Sequence, residues 1–438
     1  MRPVILAVYV TAMCMNGLDA TIVNPALFAI AADLGVPPQA AGVVESAFLA
    51  SLAVSMPVAG WLCDRYGAPR VFLAALAVFT AASGLCALAW DVGSLVAFRV
   101  VQGAGGGVLT PAGMAMLFAA YPPGERLRLS RYIVVPTALA PALGPVLGGL
   151  LADALSWRWA FLVNLPFGAA ALLAGAWALR RAPAPRTAGP LDVRGLVLAG
   201  AGFGLLMYGL NEATTLSPAT LSLAALPAGA VLLVLLARSA RVTRFPLLDL
   251  GLLADRGFLR GAVTASLAAA GLLGMLFAFP LGYQELGASA ADAGLVVFPE
   301  ALGLMVAGFV VDRACDRWGE RPVIIGGLLG GAALFAVLAL AEPGPWGLRA
   351  VMFGVGLVLG QAVTAVQVSS FAAVEPEVMG RAMTLFQSLR MIGGGLGVGV
   401  CAVVVSAAGY RAALLAAAAF LLAASGAAVL SRARVPRP

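Results

Sequence analysis

The chain alternates between long apolar runs and short polar connections over almost its whole length. A helix rises 1.5 Å per residue, so about 20 apolar residues cross the ~30 Å hydrocarbon core of a bilayer. Fourteen runs reach that length, near residues 4–31, 42–62, 71–89, 93–119, 132–152, 159–179, 194–211, 218–237, 259–281, 293–311, 322–341, 347–371, 382–407 and 412–430. Gly and Pro interrupt many of them, as membrane helices tolerate. The pattern predicts an all-α integral membrane protein. The first run is too long for a signal peptide and contains Asp19, so it is read as an uncleaved span.

Composition points the same way. Hydrophobic residues make up 62% of the chain and charged residues only 11%. A soluble domain carries about 25% charged residues, and this chain could not wet the surface of a globule its size. The net charge of +7 comes with 27 basic residues, all of them Arg. With the N-terminus placed inside, 22 of these fall in inside segments, three (Arg158, Arg349, Arg411) outside, and two (Arg99, Arg390) within spans. That bias supports the count, puts both termini on the cytoplasmic side of the membrane, and explains the positive charge without nucleic acid. Arg without Lys, 53 Gly and abundant Ala suggest a GC-rich bacterial genome and hence the bacterial cell membrane.

The missing residue types narrow the chemistry. With no His, a proton relay must rest on carboxylates. With no Lys, a phosphate-binding loop of the usual kind is excluded, and an ATP-driven pump or soluble enzyme is not expected. The five cysteines are scattered with no C-x-x-C pair, so they are read as reduced and structural, with no metal or other cofactor.

An internal echo divides the chain. Asp64-Arg65-Tyr66-Gly67 with Arg70 follows the second run, and Asp316-Arg317-Trp318-Gly319 with Arg321 follows the tenth. Each comes after a Gly-x-x-x-Asp step, Gly60 to Asp64 and Gly308 to Asp312. The reading is a six-helix bundle over 1–181, two inserted helices with their linkers over 182–256, and a second six-helix bundle over 257–438. Duplicated bundles with a midplane site between the halves are a known transporter plan.

Further stretches carry a resemblance. They are Leu18-Asp19-Ala20-Thr21-Ile22-Val23-Asn24; Gly60 to Gly67; Arg99-Val100-Val101-Gln102-Gly103; Gly144-Pro145 with Gly148-Gly149; Trp157 to Gly168; Tyr283-Gln284; and Arg390 with Gly393-Gly394. In this order and on these runs they resemble the major facilitator superfamily, and within it the fourteen-span drug:proton antiporters. Ala68, Pro69, Ala140 and Glu45 depart from the usual pattern. The resemblance implies a major facilitator fold, multidrug efflux coupled to protons, and a part for Arg99 in that coupling.

A charge near mid-bilayer costs ~2.5–3.5 kcal/mol on insertion scales and needs a partner or a wet cavity. Asp19, Arg99, Glu300 and Glu45 are therefore the candidates for proton coupling. Each has a plainer reading, a fixed buried pair for Asp19, Arg99 and Glu300 and an interfacial position for Glu45. Asn24, Gln102, Asn164, Gln284, Gln361, Gln367 and Arg390 are candidates for lining a substrate cavity; for Gln361 and Gln367 the alternative is helix–helix glue. Asp64, Arg65, Gly67, Arg70, Asp316 and Arg317 are read as a conformational latch, and Gly144 and Pro145 as a hinge; topology control and packing are the alternatives. The whole reads as a monomeric exporter of small amphipathic molecules, with protons and the lipid bilayer as its other partners. The rival readings are another cargo (lipid, siderophore or amino acid) and a non-transporting receptor or scaffold.

Overall fold

The computed structural model describes residues 2–36, 43–122, 125, 140, 143–144, 147–152, 154–179, 189–213, 220–243, 246–287, 290–341, 344–375 and 378–429. Among them the regular structure is helical. The long helices are α1 (Arg2–Asp33), α2 (Val43–Tyr66, tightened to a 3₁₀ turn at Met56–Val58), α3 (Ala68–Ala87), α4 (Val92–Ala120) and α5 (Trp159–Ala178). They continue with α6 (Val193–Ala213), α7 (Thr220–Val242), α8 (Arg256–Glu285), α9 (Ala290–Trp318), α10 (Glu320–Leu340), α11 (Pro345–Ser370) and α12 (Met379–Val429). α12 breaks at Gly409 (φ 82°, ψ 170°), which leaves two helical arms.

Ten of these helices are long and apolar enough to cross a membrane, among the described residues. In lipid every backbone N–H and C=O must be paired within the protein, and the helix does this along its own length. The expected run at 132–152 lies mostly outside the described residues.

Local sequence sets the helix ends. Asp91 caps α4 in a reciprocal box: its carboxylate accepts from Ser94 N–H at 2.6 Å, and Ser94 Oγ accepts from Asp91 N–H. At the α2–α3 corner Gly67 takes φ 84° and donates to Cys63 C=O at 2.8 Å. Gly319 repeats that geometry between α9 and α10, with φ 85° and a 2.8 Å bond to Cys315 C=O. A side chain is strained at such a φ, so both copies of the Asp-Arg-aromatic-Gly motif end in the one residue that turns freely there.

Contacts group the chain into two compact units. The first holds α1 to α7 together with Glu375–Gln387; the second holds α8 to α11 and α12 from Ser388 onward. In the first, α4 packs between α2 and α3, α5 lies on α1 and α3, and α6 pairs with α7 and with α2. In the second, α11 is the central helix, packed against α8, α9 and α10.

Candidate transport site in the first unit

Glycines bring the helices of the first unit close enough for a buried polar site. A Cβ on Gly103 or Gly107 would run into the α2 carbonyl of Phe48 or Leu52, so α4 and α2 meet backbone to backbone there. On the other side of α1, Gly144 and Gly148 lie against Thr21 and Ile22, just past Asp19. The Gly144 contact places that expected hinge residue; Pro145 lies outside the described residues.

Asp19 lies 14 residues from the Asp33 end of α1, about 21 Å along the axis. Its side chain is fully buried, as are those of Arg99 and Gln102 on α4. Arg99 Nη1 donates to Asp19 Oδ2 in a short ion pair. Gln102 Nε2 donates to Oδ1 at 2.8 Å, and Asn164 Nδ2 of α5 donates to the same oxygen at 2.9 Å. Both amides also donate to Ser83 Oγ of α3, at 3.2 and 3.0 Å, and Ser83 passes its own hydrogen to Phe161 C=O at 3.0 Å. Gln102 Oε1 accepts from Arg99 Nη1 at 3.0 Å and from Cys86 Sγ at 3.5 Å.

The guanidinium is held from more than one side. Its Nε donates to Val44 C=O at 3.5 Å, at the start of α2 beside Glu45. Its carbon sits 4.0 Å from the centre of the Phe48 ring and 5.6 Å from that of Phe161. Among the described residues Nη2 has no hydrogen-bond partner, and the aromatic faces stand in for one. Such contacts reach about 2 kcal/mol when water is excluded. Ion pairing, neutral amide donors and ring faces together offset the desolvation of two charges, several kcal/mol each.

The site is closed towards the Asp33 end. Ile22, Val23, Ala26 and Ile30 of α1 form a buried apolar cluster with Cys86, Leu95, Trp157 and Phe161. Asp33 fastens its rim, accepting from Arg158 Nη1 at 2.6 Å and from Trp157 Nε1 at 3.0 Å. Arg158 also donates to Ala89 C=O at 3.3 Å. These bonds, Arg158 first, hold the Asp33 carboxyl below the usual carboxylate range.

The remaining candidates fall elsewhere. Glu45 is partly buried in the first turn of α2. Asn24 and Gln284 have side chains outside the described set. In the second unit Glu300 is 6% exposed, with Oε1 buried and lacking a hydrogen-bond partner among the described residues. Gln361 donates to Leu357 C=O of its own helix at 3.2 Å, while Gln367 and Arg390 are half-buried. Asp64 pairs with Arg381 at 2.6 Å. Arg65 lies over the Trp61 and Tyr66 rings, and Arg70, Asp316 and Arg317 are exposed. Ser83 and Arg381 were not singled out from sequence; one is a common residue in an apolar run, the other one of several charges in a connection.

The sequence profile of the Major Facilitator Superfamily matches residues 9–283 and 262–438. The chain belongs to the major facilitator superfamily. It is 30% identical over 411 residues to the multidrug resistance protein B homolog of Mycobacterium tuberculosis, covering 91% of this chain and 75% of that one. It is 32% identical over 403 residues to the putative multidrug resistance protein MdtD of Cronobacter sakazakii, covering 91% and 85%. Its fold is similar to the human organic anion transporter MFSD10 (TM-score 0.69, 18% identity, 98% and 99% covered). It is also similar to the proton:xylose symporter XylE (TM-score 0.68, 14% identity, 97% and 94% covered). This major facilitator protein is thus an all-α, multi-pass membrane transporter.

Proposed function

We propose that the transporter exports small amphipathic molecules, drugs or antibiotics, in exchange for protons by alternating access. The observation that carries the reading is the fully enclosed Asp19–Arg99 pair, held by two neutral amides, Gln102 of α4 and Asn164 of α5. A proton arriving on Asp19 removes one half of the pair. Arg99 would then be a buried cation with only Gln102, the Val44 carbonyl and two rings around it. Leaving one charge of a buried pair uncompensated costs about 3–5 kcal/mol, so its surroundings must change. That is the differential stability between two states that coupling requires.

In this reading Asp19 takes its proton from the outside and releases it inside. Glu300, Glu45 and Arg99 share the coupling, and Asn24, Gln102, Asn164, Gln284, Gln361, Gln367 and Arg390 serve the cargo. Asp64, Arg65, Gly67, Arg70, Asp316 and Arg317 gate the passage, with Gly144 and Pro145 as its hinge. The chain has fourteen spans in the bacterial cytoplasmic membrane, both termini inside, and works as a monomer. Its parts are 1–181 and 257–438 as bundles and 182–256 as the inserted pair. The names of its relatives, multidrug resistance proteins, support the cargo class.

The test uses purified protein in liposomes, with ethidium as the probe cargo. An imposed pH gradient is expected to drive ethidium against its own gradient, and a protonophore to stop it. Ethidium movement indifferent to the pH gradient would count against the reading.

A further inference from the structure

The inserted pair, α6 and α7, meets the Asp64 end of α2 directly at Trp61 and again through Arg381, and Asp192 ties its two connections together. Trp61 Nε1 donates to Gly189 C=O at 3.1 Å, in the connection that enters α6. Asp192 accepts from Gly195 N–H at 2.7 Å at the start of α6, and its second oxygen accepts from Leu247 N–H at 3.3 Å, in the connection that leaves α7. Two residues further on, Asp249 accepts from Arg381 Nη1 at 3.0 Å. Nε of that same guanidinium lies 2.6 Å from Asp64.

One arginine therefore faces two carboxylates, donating a hydrogen bond to Asp249 through Nη1 and pairing with Asp64 by charge at Nε, and its planar guanidinium is fixed in orientation where a lysine ammonium would not be. Side-chain exposure is 19% for Asp64, 25% for Asp249 and 36% for Arg381, so water screens this triad less than a surface pair. Around it the chain is tight. A Cβ on Gly380 would lie 2.8 Å from Cys63 Cβ, and one on Gly60 would lie 3.2 Å from Arg381 Cα. Cys63, next to Asp64, is buried under this contact.

We propose that Asp249 is a positioning residue of the gate, which makes the inserted pair a working part of it. Asp249 holds Arg381 in place from the side of α7, and through Arg381 it keeps residues 380–384 seated on the Gly60–Asp64 turn. The proposal deepens the reading of Asp64 as a latch residue.

Cys63 is a built-in reporter, and its test needs no cargo. The full chain is prepared with Cys63 as its one cysteine (Cys14, Cys86, Cys315 and Cys401→Ala), and N-ethylmaleimide labelling is timed in membranes. Asp249→Asn is expected to label about tenfold faster, the change that loss of one charge-assisted hydrogen bond produces. Asp249→Glu, which keeps the charge, is expected near the parent rate. A parent-like rate in Asp249→Asn, or equally fast labelling in Asp249→Glu, overturns the proposal. Should Asp249→Asn not yield monodisperse protein, Asp249→Ser decides: fast labelling supports the proposal and a parent-like rate overturns it. Asp64→Asn separates the two ideas. A parent-like rate there, with fast labelling in Asp249→Asn, removes Asp64 from the latch and upholds Asp249; the reverse pair upholds the latch and overturns Asp249.

Discussion

Asn164 donates its side-chain amide to Asp19 Oδ1 at 2.9 Å across 145 residues of sequence, and so joins α5 to the one carboxylate buried in α1. The same amide supports Ser83. Asn164→Ala takes a donor from each, with a cost of about 1–3 kcal/mol. The expected outcome is a lowered unfolding temperature in detergent and slower transport. A variant as stable as the parent would show that the bond contributes nothing.

The close approach of α4 and α2 gives a second prediction. Gly103→Ala and Gly107→Ala each push a methyl into an α2 carbonyl. Overpacking of this kind costs typically 1–3 kcal/mol and more against backbone. Gly326→Ala is the control, because nothing lies within 4 Å of its Cβ position. Thermal unfolding of the three variants is expected to separate the first two from the third.

The rim bond between Asp33 and Arg158 predicts a pH dependence. A carboxylate held below its ordinary value stabilises fully above that value, ~3.9 for Asp, and stops doing so as pH falls through the lower folded value. The parent is therefore expected to unfold at a slightly higher temperature than Arg158→Gln at pH 7, and the gap to close below about pH 4. Both side chains are partly exposed, so the effect is small. A gap that persists unchanged at pH 3 would assign it to Arg158–Ala89 or to packing on Trp157.

The arginine bias predicts an orientation. A fluorescent protein fused after Pro438 is expected to glow, and alkaline phosphatase at the same point to be inactive, because both report a cytoplasmic end. The opposite pair of results would invert the topology.

What the sequence disclosed follows from the cost of charge in lipid. Asp19 and Arg99 stand out because an ionised group within an apolar run demands a reason. Gly67 and Gly319 stand out because their motif occurs twice, and the structure gives both the same positive φ. Ser83 could not be seen, since a serine in an apolar run is ordinary until its partners are known. Arg381 and Asp249 were two charges in two separate connections, and periodicity within a run does not say which connections meet. Gln102 and Asn164 were legible as buried polar groups, but that both point at Asp19 Oδ1 depends on the register of α4 and α5 against α1, which glycine contacts set and hydropathy does not.

The most direct test of coupling is proton movement in Asp19→Asn. The substitution keeps the shape of the side chain and removes its charge and titration, so the protein is expected to be less stable, held in the arrangement that protonation favours, and still to bind ethidium, with a binding measurement on the purified variant as the control. In vesicles loaded with a pH-sensitive dye, ethidium added to the parent should release a measurable pulse of proton exchange, and ethidium added to Asp19→Asn should release none. An equal pulse from Asp19→Asn would contradict the account.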